Sequence, residues 1–182
     1  MRFVTMARVL TLATSLAAIN HSSAAAQTPV TVQEAMASVD YLVGNWSCAH
    51  TVGKFSGKYT TTYSKVLDDN FLKQTYNFPS QQTSERRDPA ATAEALMGYT
   101  PSRQGWVRFF ANSEGQSFAI RMMDTGNGWT WKYVTFFKRM TPETPEPDAT
   151  FTKKSVTEYS IDGPTYPQNG VTVTEHHVCH KM

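Results

Sequence analysis

The residues best suited to chemistry lie in two short segments near opposite ends of the sequence. Cys48 and His50 stand two positions apart in the first segment, and His177 and Cys179 stand two positions apart in the second. Two thiolates and two imidazoles form a ligand set that binds zinc tetrahedrally. A zinc site is therefore one hypothesis, provided that the cysteines stay reduced and the fold brings the two segments together.

The start of the sequence predicts export. Two arginines precede an apolar stretch at residues 9–19, which is too short to span a bilayer as a helix. Three alanines at 24–26 are typical of a cleavage site. We expect residues 1–26 to be a signal peptide that is removed, and residues 27–182 to be a single domain in the bacterial periplasm or secreted, without a membrane anchor.

Export favours a disulfide between the two cysteines. Cys48 and Cys179 are the only cysteines in the chain, and exported proteins of this size commonly join such a pair. The disulfide would leave His50 and His177 as an incomplete pair of metal ligands. We therefore expect no cofactor, with zinc on these two histidines as the alternative.

The charge of the mature domain gives no sign of a polyanionic partner. The chain has 17 basic and 15 acidic residues, and two of the basic ones lie in segment 1–26, so 15 of each sign remain. A neutral balance gives no electrostatic attraction to nucleic acid or to an anionic membrane. No hydrolase elbow, phosphate loop or dinucleotide fingerprint is present, which argues against the common hydrolases and nucleotide enzymes but does not exclude an enzyme of another kind.

The elements that must position these residues are one short helix followed by strands. Apolar residues at helical spacing predict a helix from Thr31 to Leu42, with Thr31 and Glu34 forming a capping box. From Asn45 onwards, apolar and polar residues alternate with a period of two, which predicts strands. The first three strands contain residues 46–52, 58–64 and 72–78, and the others lie near 94–99, 105–112, 117–123, 128–138, 151–160 and 171–181.

About nine strands joined in sequence order predict an all-β fold. We expect an antiparallel up-and-down β-barrel, closed or nearly closed, with a short N-terminal helix, because closure removes the exposed edges of a long meander. A two-sheet sandwich is the alternative. The longer polar loops at 80–92 and 141–148 would be rims of the barrel mouth or plain surface loops.

A disulfide would also set the pairing of the first and last strands. In an antiparallel pair, the residue number rises along one strand as it falls along the other. If Cys48 faces Cys179, the numbers of any two facing residues therefore sum to 227. The pairs that follow are Trp46 with Lys181, His50 with His177, and Val52 with Glu175. All of these side chains then lie on one side of the sheet, because side chains alternate along a strand.

Several further residues are candidates for lining a pocket. The aromatic ones are Tyr59, Tyr63, Trp106, Trp129 and Trp131, although aromatic stripes on strands more often form the core. Arg108 alternates with Phe109, and Glu175 shares a face with His177. An inward Arg108–Glu175 pair would hold a polar or anionic ligand, or it would be an internal ion pair.

A Gly-x-Trp at Gly44-Asn45-Trp46, after a short helix, resembles the opening of the calycin superfamily, which includes the lipocalins. Other pieces look like a bacterial exported calycin-like family of unknown function. They are residues 42–48, 67–72 with Gln74 and Tyr76, 98–99, 105–107, 128–131 and 179–181. The resemblance covers most of residues 40–182. It implies a barrel able to enclose a small ligand and a cation beside the opening tryptophan, and it implies no reaction.

The chain also resembles, more distantly, the nitrobindin-like barrels. In those proteins a histidine near the C-terminus ligates haem iron. His176, His177 or His180 would take that role here, although the residues that flank the family's haem histidine are not recognisable.

Taken together, the sequence predicts an exported, lipocalin-like protein that binds a small, partly apolar molecule. One alternative is a haem- or metal-binding barrel that uses the C-terminal histidines. The other is a structural or interaction module without a ligand.

Overall fold

A computed structural model describes residues 30–82, 87–136, 149–168 and 170–182. The predicted signal peptide and the predicted loop at 141–148 lie outside these residues. The elements are α1 (Val32–Ser38), a 3-10 turn (Asp40–Leu42), β1 (Gly44–Val52), β2 (Phe55–Val66), β3 (Phe71–Phe78), β4 (Gln81–Gln82), β5 (Arg87–Asp88), β6 (Ala91–Thr100), a second 3-10 turn (Pro101–Arg103), β7 (Gly105–Asn112), β8 (Ser117–Asp124), β9 (Gly128–Phe136), β10 (Ala149–Lys153), β11 (Glu158–Gln168) and β12 (Val171–Lys181). Neither α1 nor the 3-10 turns of the described segments are long and apolar enough to cross a membrane.

Ten strands form a closed antiparallel barrel. Each strand pairs with its neighbours in the chain, and β1 closes the barrel by pairing with β12. The short strands β4 and β5 form a separate hairpin between β3 and β6. The predicted all-β barrel is confirmed, the two-sheet sandwich is wrong, and the architecture is compatible with a calycin-like fold.

The pairing of β1 with β12 follows the predicted register. Cys48 faces Cys179, and His50 faces His177. The series continues to Val52 opposite Glu175. The predicted alternation is also present, because every second residue of β1 from Trp46 to Val52 is buried or half-buried while the others are exposed.

The helix is shorter than predicted. Its capping box between Thr31 and Glu34 is present, but α1 ends at Ser38 and the chain continues as a 3-10 turn. The hydroxyl of Ser38 donates to the carbonyl of Ala35 at 2.6 Å, the acceptor that an α-helix reserves for Val39. The amide of Val39 bonds to the carbonyl of Met36 instead, which tightens the last turn.

The prediction of one strand over residues 151–160 is wrong. This segment contains the end of β10, a tight turn and the start of β11, which accounts for the tenth strand. The amides of Lys154 and Ser155 both bond to the carbonyl of Glu158 at 3.0 Å. Beyond residue 160, β11 continues to Gln168 through an irregularity between Asp162 and Thr165, and such an irregularity tolerates the proline there, which lacks an amide hydrogen.

Candidate ligand-binding site

One end of the barrel is closed by α1 and the first 3-10 turn. Val39 and Leu42 are each 1% exposed and share one apolar core with Trp46. The indole Nε1 of Trp46 donates to the carbonyl of Leu42 at 2.7 Å. The Nζ atom of Lys181 donates to the carbonyl of Tyr41 at 2.8 Å and lies 5.6 Å from the ring centre of Trp46. The predicted contact of a cation with the opening tryptophan is confirmed.

Three of the predicted lining aromatics pack into the core near this end. Trp106 meets Trp129 with ring centres 5.9 Å apart. Tyr63 is 5% exposed, and its hydroxyl donates to the hydroxyl of the fully buried Tyr159 at 3.2 Å. These side chains are buried among their neighbours and hold the strands together, although Trp106 also lines a pocket beside α1.

The opposite end of the barrel differs, because inward-facing side chains there are only partly covered. We call this set the mouth residues: His50, Phe55, Phe78, Phe110, Phe118, Glu175 and His177. The strand pairing places them on the inner face; for example, Phe110 pairs with Phe118, and their rings stack with centres 4.5 Å apart. Partly exposed rings on an inner wall can contact a molecule that enters the lumen.

The β4–β5 hairpin reaches the rim of this end. The Nε2 atom of Gln81 donates to the carbonyl of Lys58 at 3.2 Å. The same amide fills the space beside Gly57, because a Cβ atom built on Gly57 would lie 2.2 Å from the Oε1 atom of Gln81. A rim position was predicted for the loop at 80–92, and its residue Gln81 lies there.

The disulfide lies on the inner wall between the two ends. Cys48 and Cys179 are joined, and both are fully buried. The hydroxyl of Tyr59 lies 3.8 Å from the sulfur of Cys179 and 3.1 Å from the Nδ1 atom of His177. The Nε2 atom of His177 is 3.4 Å from a carboxylate oxygen of Glu175. A carboxylate only accepts, so the contact with Glu175 is a hydrogen bond in the tautomer that has its hydrogen on Nε2, and in that tautomer Nδ1 can accept from Tyr59.

Four tyrosines in the lumen are held in their neutral form. Burial raises the pKa of Tyr59, Tyr63, Tyr76 and Tyr159, and it is the largest cause for each. The Arg108 guanidinium lowers the pKa of Tyr59, Tyr63 and Tyr76, but less than burial raises it. At neutral pH these phenols therefore act as hydrogen-bonding groups and carry no charge.

The disulfide joins the two cysteine sulfurs that the zinc hypothesis requires as ligands. His50 and His177 remain side by side, with stacked rings whose centres are 5.1 Å apart. Within the residues that the structure describes, no three histidine, cysteine, aspartate or glutamate side chains are grouped so that they could hold a metal ion.

The three histidines named for the haem alternative do not share one face. His176 is half-exposed beside Asp162, at 2.8 Å, and His180 is largely exposed near Glu158, at 3.9 Å. His177 points inward, and its side chain is 16% exposed. Only His177 of these three is placed to meet a group in the lumen.

Arg108 forms the most polar part of the lumen wall. It is 3% exposed, and its Nη2 atom donates to the Oε1 atom of Gln74 at 3.2 Å and to the hydroxyl of Tyr76. Its Cζ atom lies 5.0 Å from the ring centre of Trp131 and 5.5 Å from that of Phe110. The guanidinium thus has Gln74 and Tyr76 as hydrogen-bond partners, while the predicted partner Glu175 lies beside His177.

The structure therefore groups six of the predicted site residues. Tyr59, His177, His50 and Glu175 lie together, and Arg108 and Trp131 lie together. Sequence reasoning missed Gln74, Tyr76 and the phenylalanines of the mouth as parts of the site. The signal that was available is the glutamine at an inward position of β3, between Leu72 and Tyr76, because a polar residue in an apolar row needs a partner.

Neither a protein-family model nor a curated protein matches this sequence.

Proposed function

We propose that the protein is an exported, lipocalin-like member of the calycin superfamily that binds a small, partly apolar molecule in the barrel lumen. The observation that carries this proposal is the contrast between the two ends of the barrel. Inward-facing side chains near the helix end are buried, whereas the inward-facing mouth residues are partly exposed. Contact between aromatic rings and water is unfavourable. An apolar ligand that covers these rings removes their surface from water, and this burial stabilises the complex.

The disulfide supports the exported location in this proposal. Such bonds persist in oxidising compartments and are rare in the cytosol. Here the bond joins the first and last strands of the barrel. Oxidation of the two cysteines therefore holds together the two strands whose pairing closes the barrel. The positively charged start of the chain, with its short apolar stretch, supports removal of residues 1–26.

Native mass spectrometry of the protein purified from its source tests both parts of the proposal. The expected polypeptide begins at Gln27, contains one disulfide and carries one small molecule that is released on denaturation. A polypeptide that retains residue 1 would contradict the proposed export. Release of nothing from a protein that also fails to bind apolar probes would contradict the proposed binding.

A matched pair of substitutions tests where an apolar molecule binds. Phe110 faces the lumen, whereas its neighbour Phe109 is 51% exposed on the outer face. With the neutral fluorescent probe N-phenyl-1-naphthylamine, Phe110→Ala is expected to weaken binding about 5- to 10-fold, since it removes one wall of the site. Phe109→Ala is expected to change the affinity less than twofold. Equal losses in the two variants would place the probe on the outer surface and contradict the proposal.

A further inference from the structure

Arg108 is a buried cation whose partners among the described residues are all neutral. Its hydrogen bonds go to the side-chain carbonyl of Gln74 and the hydroxyl of Tyr76, and both use the Nη2 atom. None of the ion pairs found among the described residues includes Arg108. A guanidinium has five N–H donors, and an unpaired charge away from water is costly unless an anion compensates it.

Trp131 adds a second donor that lacks an acceptor. Trp131 is 9% exposed, and its Nε1 atom has no hydrogen-bond partner in the part of the chain that the structure describes. The Cζ atom of Arg108 lies 5.0 Å from the centre of the same ring. Buried indole N–H groups are normally hydrogen-bonded. As far as the described residues show, a cation without an anion and an N–H group without an acceptor thus lie in one patch of the lumen wall.

We propose that the lumen binds a carboxylate carried on a flat apolar body, with the carboxylate held by Arg108 and by the Nε1 hydrogen of Trp131. This inference rests on the proposed function and names the class of ligand. Gln74 and Tyr76 use both hydrogens of Nη2, so a carboxylate would accept from the remaining N–H groups of the guanidinium, and its other acceptor sites can serve the indole. Its single negative charge balances the single positive charge of Arg108.

The residues around this patch favour a particular shape and charge for the part of the ligand beyond the carboxylate. Phe110 is two residues from Arg108 on the same inner face and stacks on Phe118, so aromatic rings continue from the patch towards the mouth. A flat ring system offers the offset and edge-to-face contacts that such side chains favour. Glu175, near His177 at the mouth, opposes a second negative charge on the ligand. The site therefore suits one carboxylate at the inner end and an uncharged body.

The test compares 2-naphthoate with 2-naphthamide, which have the same ring system but differ in charge. Affinities are measured on the full mature domain by displacement of N-phenyl-1-naphthylamine and by calorimetry. In the unaltered protein, 2-naphthoate is expected to bind at least 30-fold more tightly than 2-naphthamide. A ratio below 3 overturns the inference.

Three variants test whether the charge of Arg108 and the Nε1 hydrogen of Trp131 bind the carboxylate. Arg108→Gln is expected to weaken 2-naphthoate binding at least 30-fold while changing 2-naphthamide binding less than 3-fold. Trp131→Phe keeps an aromatic ring, removes the N–H and is expected to weaken 2-naphthoate about 5- to 10-fold. Arg121→Gln is the control, because Arg121 is exposed on the outer face of β8, and it should leave both affinities unchanged.

The outcomes separate this inference from the proposed function. If N-phenyl-1-naphthylamine binds and depends on Phe110, but neither naphthalene ligand displaces it or both do so equally, the carboxylate inference fails and the proposed function stands. If the probe does not bind at all, both fail. Circular dichroism verifies the fold of each variant. Should Arg108→Gln not fold, the ratio in the unaltered protein and the effect of Trp131→Phe decide the matter.

Discussion

Replacing Cys48 and Cys179 together by alanine is expected to lower the free energy of unfolding by about 4–5 kcal/mol. The bond connects residues 131 positions apart. Closing a loop of this length lowers the conformational entropy of the unfolded chain, which raises the free energy of the unfolded state by about 5 kcal/mol. The bond also fastens the β1–β12 seam, without which the barrel has two free edges. Urea unfolding followed by tryptophan fluorescence measures the change.

Val178→Ala is the control for the loss of the disulfide. Val178 lies next to Cys179 on the outer face and is 40% exposed, so its truncation is expected to change the stability by less than about 1 kcal/mol. The unaltered protein with a reductant should unfold at the same low urea concentration as the double alanine variant. Equal unfolding midpoints for the oxidised protein and the double variant would contradict the role assigned to the disulfide.

Raising the pH above 10 is expected to unfold the barrel cooperatively. Burial holds the pKa of Tyr59, Tyr63, Tyr76 and Tyr159 above that of an exposed tyrosine. Below the unfolded pKa of about 10, both states are neutral and the full stability is present. Above it, the unfolded state releases these protons more readily than the folded state, so the free energy of unfolding falls as the pH rises.

Two signals recorded on the same samples check this expectation. The part of the phenolate absorbance that comes from these four side chains should change together with the circular dichroism, because the buried hydroxyls ionise when the barrel opens. Tyr63→Phe leaves three of these four phenols, so its stability should fall with pH about 1.4 kcal/mol per unit less steeply than that of the unaltered protein. Gradual ionisation of all tyrosines with unchanged circular dichroism would show that these phenols are accessible in the folded state.

A large part of the fold followed from two features of the sequence. Alternation with a period of two predicted which residues share one side of each strand, and a single pair of cysteines predicted how the first and last strands align. The alignment then placed His50 opposite His177 and Trp46 opposite Lys181, as the structure has them. These predictions succeeded because strand pairing is regular, so one fixed pair of residues sets the register for the whole seam.

The errors at the element level arose where local hydrogen bonds compete with regular structure. The hydroxyl of Ser38 ended the helix early, and the turn before Glu158 divided a predicted strand into two. Neither feature disturbs the apolar–polar pattern, so periodicity alone could not reveal it.

For the candidate site, too, the alternation of residues predicted which side chains share a face, but not which side chains contact one another. Alternation identified Arg108, Trp131 and Trp129 as inward-facing candidates, but it could not separate Trp129, packed in the core against Phe151, from Trp131, which lies beside the guanidinium. It also could not supply Gln74 as the acceptor for Arg108, because 34 residues separate the two in the chain.

The sequence by itself determined the type of fold, the inward and outward faces and the β1–β12 register, because these depend on local alternation and on one covalent link. Only the tertiary structure decided which end of the barrel is filled by the helix and which inward residues stay partly exposed. It also decided which neutral groups surround the buried charge of Arg108. The physical reason is that closing a barrel brings strands that are distant in the chain around one lumen, and burial and hydrogen-bond partners are set by those distant neighbours.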